Sequence, residues 1–142
     1  MRGSYRRVLS AALLLSSLFG AAASAAAGVQ EDLAVVPEGV LRRLAKRTVL
    51  PDYPEASKKR GTTGRAVAQL DVDKEGRITG AFVLEAPDEE IKQAVLDAVR
   101  RWEFNSAFTG DERKPVRIRG KLTFYFVIDG QGARVQNPRK FN

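Results

Sequence analysis

Residues 64–85 read GRAVAQLDVDKEGRITGAFVLE and contain two runs of alternating side chains separated by a tight turn. Apolar residues at every second position are typical of a strand with one buried face. In the first run these are Ala66, Ala68, Leu70 and Val72. In the second run they are Ile78, Phe82 and Leu84, with Gly80 at the intervening position. Asp73 and Gly76 bound the turn, and Gly76 can adopt a positive φ. The stretch therefore predicts a β-hairpin.

A helix and a long strand follow the hairpin. The helix is indicated by apolar residues at helical spacing, namely Ile91, Ala94, Val95, Ala98, Val99 and Trp102. The strand is indicated by apolar alternation at Val116, Ile118, Leu122, Phe124, Phe126 and Ile128. Its length predicts a bend near Gly120 or an overhanging end. Together these elements predict an α+β fold in which helices pack on one face of a three-stranded antiparallel sheet.

The N-terminal residues have the composition of an export signal. Arg2, Arg6 and Arg7 precede an apolar stretch, and Ala23-Ser24-Ala25 is a suitable cleavage site. We expect a signal peptide over residues 1–25; the competing interpretation is an uncleaved anchor reaching residue 27. A short linker, residues 26–39, and one domain, residues 40–129, follow. Residues 130–142 lack periodicity and predict a flexible basic tail.

Charge and composition narrow the function classes. The net charge is +7, and three of these charges lie in residues 1–25, which leaves +4 for the remainder. This is too mild to indicate nucleic-acid binding. The chain contains no histidine and no cysteine, so it lacks the usual general base, the thiol nucleophile and the commonest zinc ligands. We therefore expect no enzymatic activity and no cofactor.

A basic amphipathic segment precedes the hairpin. Pro37-Glu38-Gly39 is typical of a helix start, and the following VLRRLAKR places apolar and cationic residues on opposite faces. Packing of this helix on the domain core is favoured over a membrane-surface helix, because the segment is short and has no bulky aromatic anchor.

An ordered set of motifs resembles the C-terminal domain of the TonB energy-transducer family. The resemblance covers residues 40–129 and depends on the order of the motifs more than on any one of them. The residues that carry it are Tyr53, Pro54, Gly61, Gly64, Gly76, Trp102, Phe104 and Pro115, and we expect them to form scaffold. The resemblance implies a periplasmic domain that captures the N-terminal peptide of an outer-membrane transporter as an added strand.

The last strand suits such capture if it lies at an edge of the sheet, because unpaired backbone groups can template a partner strand. Its outward side chains would then select the partner, and three of them are cations that favour acidic peptides. These predicted partner-binding residues are Arg117, Arg119, Lys121, Thr123, Tyr125 and Val127. The same cations equally suit an edge strand that is protected against aggregation.

Other functions stay open at this stage. The resemblance implies that a full transducer has a membrane helix with a histidine, followed by a long Pro-rich spacer. This sequence has no histidine, and after the small residues that end the export signal only residues 29–39 precede the domain, so we expect a stand-alone domain. One alternative is a basic surface for acidic envelope polymers, with Arg134, Arg139 and Lys140 added to the strand cations. Another is a homodimer formed through the last strand. Membrane contact is expected only if the N-terminal segment is uncleaved. Asp71-x-Asp73-x-Glu75 resembles a calcium loop, but Phe82 stands where the closing glutamate belongs.

Overall fold

The computed structural model describes residues 33–137 of the chain. The predicted signal peptide, residues 26–32 of the predicted linker and residues 138–142 lie outside the described residues. Within the described part, no helix is both long enough and apolar enough to cross a membrane.

The described residues form three helices and eight strands. The helices are α1 (Glu38–Leu44), α2 (Glu55–Arg60) and α3 (Glu89–Val99). The strands are β1 (Leu33–Val35), β2 (Ala45–Arg47), β3 (Gly64–Val72), β4 (Ile78–Glu85), β5 (Glu103–Phe104), β6 (Ala107–Thr109), β7 (Lys114–Asp129) and β8 (Gly132–Gln136).

The sheet is larger than the sequence predicts. The main sheet has the order β1-β7-β3-β4, and β6 and β8 also pair with β7, which makes six strands. β1 runs parallel to β7 and the other pairs are antiparallel, so the sheet is mixed. The α+β class is confirmed, but the prediction of a three-stranded antiparallel sheet was wrong. The added strands have three to five residues, which is too short for an alternating pattern to be visible.

The predicted flexible tail is also partly ordered. Gly132–Gln136 forms β8, which pairs with β7 from Tyr125 to Asp129. The carboxylate of Asp129 accepts hydrogen bonds from the backbone N–H of Gln131 and from Arg134, at 2.9 and 2.7 Å. These bonds stabilise the turn between the two strands, so the prediction of a flexible tail was wrong for this segment.

The hairpin of β3 and β4 is confirmed, but one face of β4 differs from the prediction. Asp71 pairs with Gly80 and Val72 pairs with Ile78, so β4 carries one extra residue, Thr79, at this point. A bulge of one residue inverts the side-chain alternation beyond it. Ala81 and Val83 therefore pack against the core, while Phe82 and Leu84 are exposed.

The core lies between the sheet and its helices. The inward side chains of β3, and those of β7 from Val116 to Phe126, are buried as the alternation predicts, and α3 contacts β3 and β4. Ile128, which the alternation also places inward, is exposed, so the prediction was wrong at that end of β7. Asp88 caps α3 by accepting the backbone N–H of Ile91 at 2.8 Å. α1 packs on β7 through Leu41, which is completely buried, so it is a core helix as predicted.

Candidate functional site

The six predicted partner-binding side chains lie on one face of β7. They alternate with buried residues from Val116 to Phe126, so each of them points away from the core. Lys121 and Tyr125 are exposed, and the other four are partly buried. The sequence pattern thus predicts the face correctly; a role of these residues in partner binding stays a prediction.

The position of β7 in the sheet differs from the expected edge. Its residues 118–126 pair with β3 on one side. On the other side, which we call the β7 edge, residues 117–119 pair with β1 and residues 125–129 pair with β8. The condition on which strand capture depends, an unpaired last strand, is therefore not met over these residues. Among the described residues, β4 lies at one edge of the sheet, and β1 lies at the opposite edge.

α1 contacts the β7 edge between β1 and β8. The carboxylate of Glu38 accepts the backbone N–H of Thr123 at 2.8 Å and its hydroxyl at 2.9 Å. Arg42 donates to the backbone carbonyl of Thr123 at 2.9 Å and to Glu38. One ion pair thus provides both the acceptor and the donor that a neighbouring strand would offer to Thr123.

The connection between β1 and α1 adds one more bond. The backbone N–H of Val36 donates to the carbonyl of Arg119 at 2.8 Å. Since backbone groups of alternate residues point to the same side of a strand, the N–H and C=O of Lys121 also face the β7 edge. The register of β1 ends opposite Arg119 and that of β8 ends opposite Tyr125, so neither strand reaches Lys121.

A concave surface of about 560 Å³ lies beside this edge, on the face of the sheet that carries the six predicted residues. Its lining combines apolar, polar and charged groups. They include Glu38, Val67, Leu84, Arg119, Lys121 and Thr123. The combination suits an extended chain with mixed side chains better than a compact apolar ligand.

Charge pairing reduces the cationic character of the surface. Arg119 donates two hydrogen bonds to the carboxylate of Asp71, at 2.6 and 2.8 Å. These bonds lower the pKa of Asp71 and keep the pair ionised. Arg65 pairs with Glu85 in the same way. Lys121, in contrast, is exposed and makes no ion pair within residues 33–137, so its charge is available to a partner.

The aromatic residues of the motif set are buried in the core. The Tyr53 ring meets Phe126 edge to face at 5.2 Å, and its hydroxyl donates to the carbonyl of Thr62. Trp102 donates its indole N–H to the carbonyl of Val49 at 2.7 Å and packs edge to face on Phe124. Phe104 is buried. These contacts join the segments before the hairpin to the inner face of β7.

The remaining motif residues lie at element boundaries. Pro54 precedes α2, Gly61 ends it, and Gly64 begins β3. Gly76 closes the hairpin turn, and Pro115 lies near the start of β7, opposite Phe108 of β6. None of these residues lies on the β7 edge between Arg117 and Asp129; their role as scaffold stays a prediction.

The calcium-loop interpretation is not supported by the geometry of the turn. The carboxylate of Asp73 accepts the backbone N–H groups of Glu75 and Arg77, at 3.0 and 2.8 Å, and the Arg77 side chain. Burial raises the pKa of Asp73, but these hydrogen bonds outweigh that effect and lower it. Within residues 33–137, no cluster of acidic side chains is arranged to hold a metal ion.

Sequence reasoning missed two residues of the site. Glu38 and Arg42 contact β7 across more than 80 positions of the chain. The available signal was their spacing of four residues, with the acid first, which favours an ion pair on a helix. That spacing does not indicate what else the pair contacts.

Comparison with known proteins agrees with the motif set. The family described as Gram-negative bacterial TonB protein C-terminal matches residues 49–128, more than half of the chain. The protein TonB of Xanthomonas campestris pv. campestris (strain B100) is 29% identical over 75 residues, which cover 52% of this chain and 34% of the relative. The protein TonB of Yersinia enterocolitica is 32% identical over 62 residues, which cover 43% of this chain and 24% of the relative.

Among solved structures, the solution NMR structure of the Pseudomonas aeruginosa TonB CTD aligns with a TM-score of 0.46 at 25% identity. The alignment covers 60% of this chain and 85% of that one. The extent of the family match defines a TonB C-terminal domain. The chain belongs to this family, and it matches about a third or less of the length of these TonB relatives.

Proposed function

We propose that the chain acts as a periplasmic TonB-family domain that binds an extended peptide by strand addition at the β7 edge. The proposed partner is the N-terminal segment of an outer-membrane transporter. The observation that carries this proposal is β1: a segment distant in sequence already lies along residues 117–119 as an added strand. The backbone of this edge is therefore geometrically able to accept a strand.

The side chains along the edge supply the selectivity. Lys121 offers a positive charge without an ion pair within the described residues, and Tyr125 offers an exposed aromatic ring. Backbone pairing contributes affinity for any extended chain, while these side chains favour partners with acidic residues nearby. Because exposed charges are screened by salt, binding should weaken as the ionic strength rises.

An NMR titration of the chain with synthetic transporter N-terminal peptides tests the proposal. We expect saturable shifts of the amides of residues 117–127, together with slower amide exchange at Lys121. The substitution Lys121→Glu should weaken binding of an acidic peptide several-fold. Lys59→Glu makes the same charge change at an exposed position of α2 and should leave binding unchanged.

Two results would contradict strand addition. One is the absence of shifts along β7 at millimolar peptide, and the other is an equal loss of binding in the two charge variants. A homodimer formed through the β7 edge would perturb the same amides in the absence of peptide. Sedimentation of the free chain distinguishes this dimer from peptide binding.

A further inference from the structure

We propose that residues 33–38, the N-terminal segment, are an intramolecular occupant of the β7 edge that a partner strand has to displace. The inference rests on the proposed function for the identity of the site, and it adds how access to that site is controlled. The segment and an added strand would use the same backbone groups, those of Arg117, Arg119 and Thr123.

The N-terminal segment resembles a bound strand in its side-chain pattern. Ala34 and Val36 are partly buried against the core, while Leu33 and Val35 point outward and are exposed, by 77% for Val35. Small aliphatic side chains thus occupy the inward positions and the outward positions carry little packing. A competing strand needs the same pattern at its inward positions.

The segment is weakly held compared with the strands around it. β1 has three residues paired to β7, whereas β3 pairs over nine residues on the other side of the same strand. Short elements with exposed side chains open at a lower free energy than the global unfolding of the domain. Displacement of β1 therefore leaves β3, β4 and β7 intact.

Glu38 makes a contact to the β7 edge that an added strand would otherwise make. Its carboxylate takes the N–H of Thr123, as the carbonyl of an added strand would. The side chain is 19% exposed, and Arg42, which holds it, is 13% exposed. A partner that carries its own acidic group can replace Glu38 beside Arg42, which gives a second reason for a preference for acidic peptides.

Gly120 explains why the segment lies at this place. A Cβ at residue 120 would lie 2.9 Å from Cδ2 of Leu41 and 3.2 Å from Cγ2 of Val36. The absence of a side chain lets the chain between β1 and α1 approach β7. Because Leu41 is fully buried, α1 beyond its first residue stays in place as an anchor, and residues 33–38 are the part that moves.

Such an occupant lowers the apparent affinity for a partner in proportion to the time it is bound. Its short connection to α1 keeps it at a high local concentration, so a free peptide competes at a disadvantage. Release of the segment should therefore tighten peptide binding without adding any contact to the peptide.

A matched pair of proline substitutions tests the proposal in the full chain. Val36→Pro removes the N–H that donates to Arg119. Val35→Pro is the control, because neighbouring N–H groups of a strand point to opposite sides and that of Val35 points away from β7. Hydrogen exchange followed by NMR reports the state of the edge through the Arg119 and Thr123 amides.

We expect Val36→Pro to speed exchange at Arg119 about tenfold or more, while the Val35→Pro chain exchanges like the parent. Exchange at Ala68 and Leu70 should not change in either variant, which shows that the sheet is intact. A transporter peptide should bind the Val36→Pro chain about fivefold more tightly than the control. Equal exchange at Arg119 in the two variants, or equal affinities, would overturn the proposal.

A second peptide separates this inference from the proposed function. A synthetic peptide of residues 31–37, added at millimolar concentration, should shift β7 amides in the Val36→Pro chain and not in the control. Binding of this peptide without binding of any transporter peptide would support the occupant and remove the proposed partner. Failure of the residue 31–37 peptide to bind, while a transporter peptide binds both variants equally, would reject the occupant and keep the partner.

Discussion

Glu38 is the residue that connects α1 to β7 at the candidate site. It begins α1 after Pro37, as Glu55 begins α2 after Pro54, so the two acids have equivalent positions in their helices. They differ in their contacts: Glu38 bonds to Arg42 and to two groups of Thr123, whereas Glu55 is exposed and bonds to Lys58. The comparison separates the effect of the β7 contact from that of the helix terminus.

The substitution Glu38→Ala should therefore be more costly than Glu55→Ala. We expect Glu38→Ala to lower the free energy of unfolding by about 1–3 kcal/mol, because it leaves the partly buried N–H of Thr123 without its acceptor and the Arg42 guanidinium without its carboxylate partner. Glu55→Ala removes only an exposed surface pair that solvent screens, so its loss should be clearly smaller. Urea denaturation measures both values, and equal losses would show that the Thr123 contact contributes nothing.

Gly76 is a second position where one residue decides a local structure. Its φ is +86°, and a Cβ there would overlap the carbonyl oxygen of Phe104. Gly110 has a similar φ of +71°, but a Cβ there would have no atom within 4 Å. Gly76 thus joins the hairpin turn to β5, in addition to closing the turn.

Alanine substitutions at these two glycines distinguish the cost of a positive φ from the cost of a steric clash with the Phe104 carbonyl. Gly110→Ala should cost about 1 kcal/mol of stability, the usual penalty for a positive φ. Gly76→Ala should cost about 3 kcal/mol or more, since it adds a backbone collision to that penalty. The two melting temperatures give the comparison, and similar losses would mean that the β5 contact relaxes freely.

At the scale of elements, length decides what the sequence could predict. β3, α3 and β7 have 9, 11 and 16 residues, and their periodicities are visible in the sequence. β1 and β8 have three and five residues, and each depends on β7 for its pairing. Ala133 and Val135 do alternate and pack on the core, but two apolar residues are no more than chance provides.

For the candidate site, the sequence predicts which side chains of β7 point outward, but it does not predict which groups contact them. The alternation of β7 gives the outward side chains correctly, from Arg117 to Val127. Which groups lie opposite them depends on chain segments far away: Asp71 for Arg119 and Glu38 for Thr123. The bulge at Thr79 could not be predicted for the same reason, because it depends on how β4 pairs with β3 and not on the sequence of β4 alone.

The β7 edge is covered by two independent segments, which leads to a prediction about β8. A chain that ends after Gly130 should lose amide protection at Tyr125 and Val127, because β8 pairs with residues 125–129. Protection at Arg119 should persist, because β1 covers that part of the edge. Hydrogen exchange of the shortened chain checks this, and a joint loss at both places would show that the edge opens as one unit.

Considered as a whole molecule, the domain combines a moderate positive charge with a set of carboxylates that are hydrogen-bonded in the folded state. Hydrogen bonds from Arg119 lower the pKa of Asp71. Burial raises the pKa of Asp88, but bonds from the N–H of Ile91, from Arg60 and from Ser57 outweigh it and lower that pKa. Asp73 behaves in the same way. The chain has no histidine, so no side chain titrates ordinarily between pH 6 and 7.

Acid should therefore destabilise the domain, and neutral pH changes should not. A carboxyl whose pKa is lower in the folded than in the unfolded chain stabilises the fold above its unfolded value of about 3.9, and that contribution is lost as the pH falls through the folded value. We expect the free energy of unfolding, measured by urea denaturation, to be flat from about pH 5 to pH 8 and to fall below about pH 4.

Asp71→Asn should make this fall smaller, because a neutral amide no longer takes up a proton. Asp52→Asn changes an exposed aspartate without an ion pair in the described residues and should follow the parent curve. An Asp71→Asn curve that also follows the parent would show that Arg119 does not lower the pKa of Asp71 in the folded chain below its value in the unfolded chain.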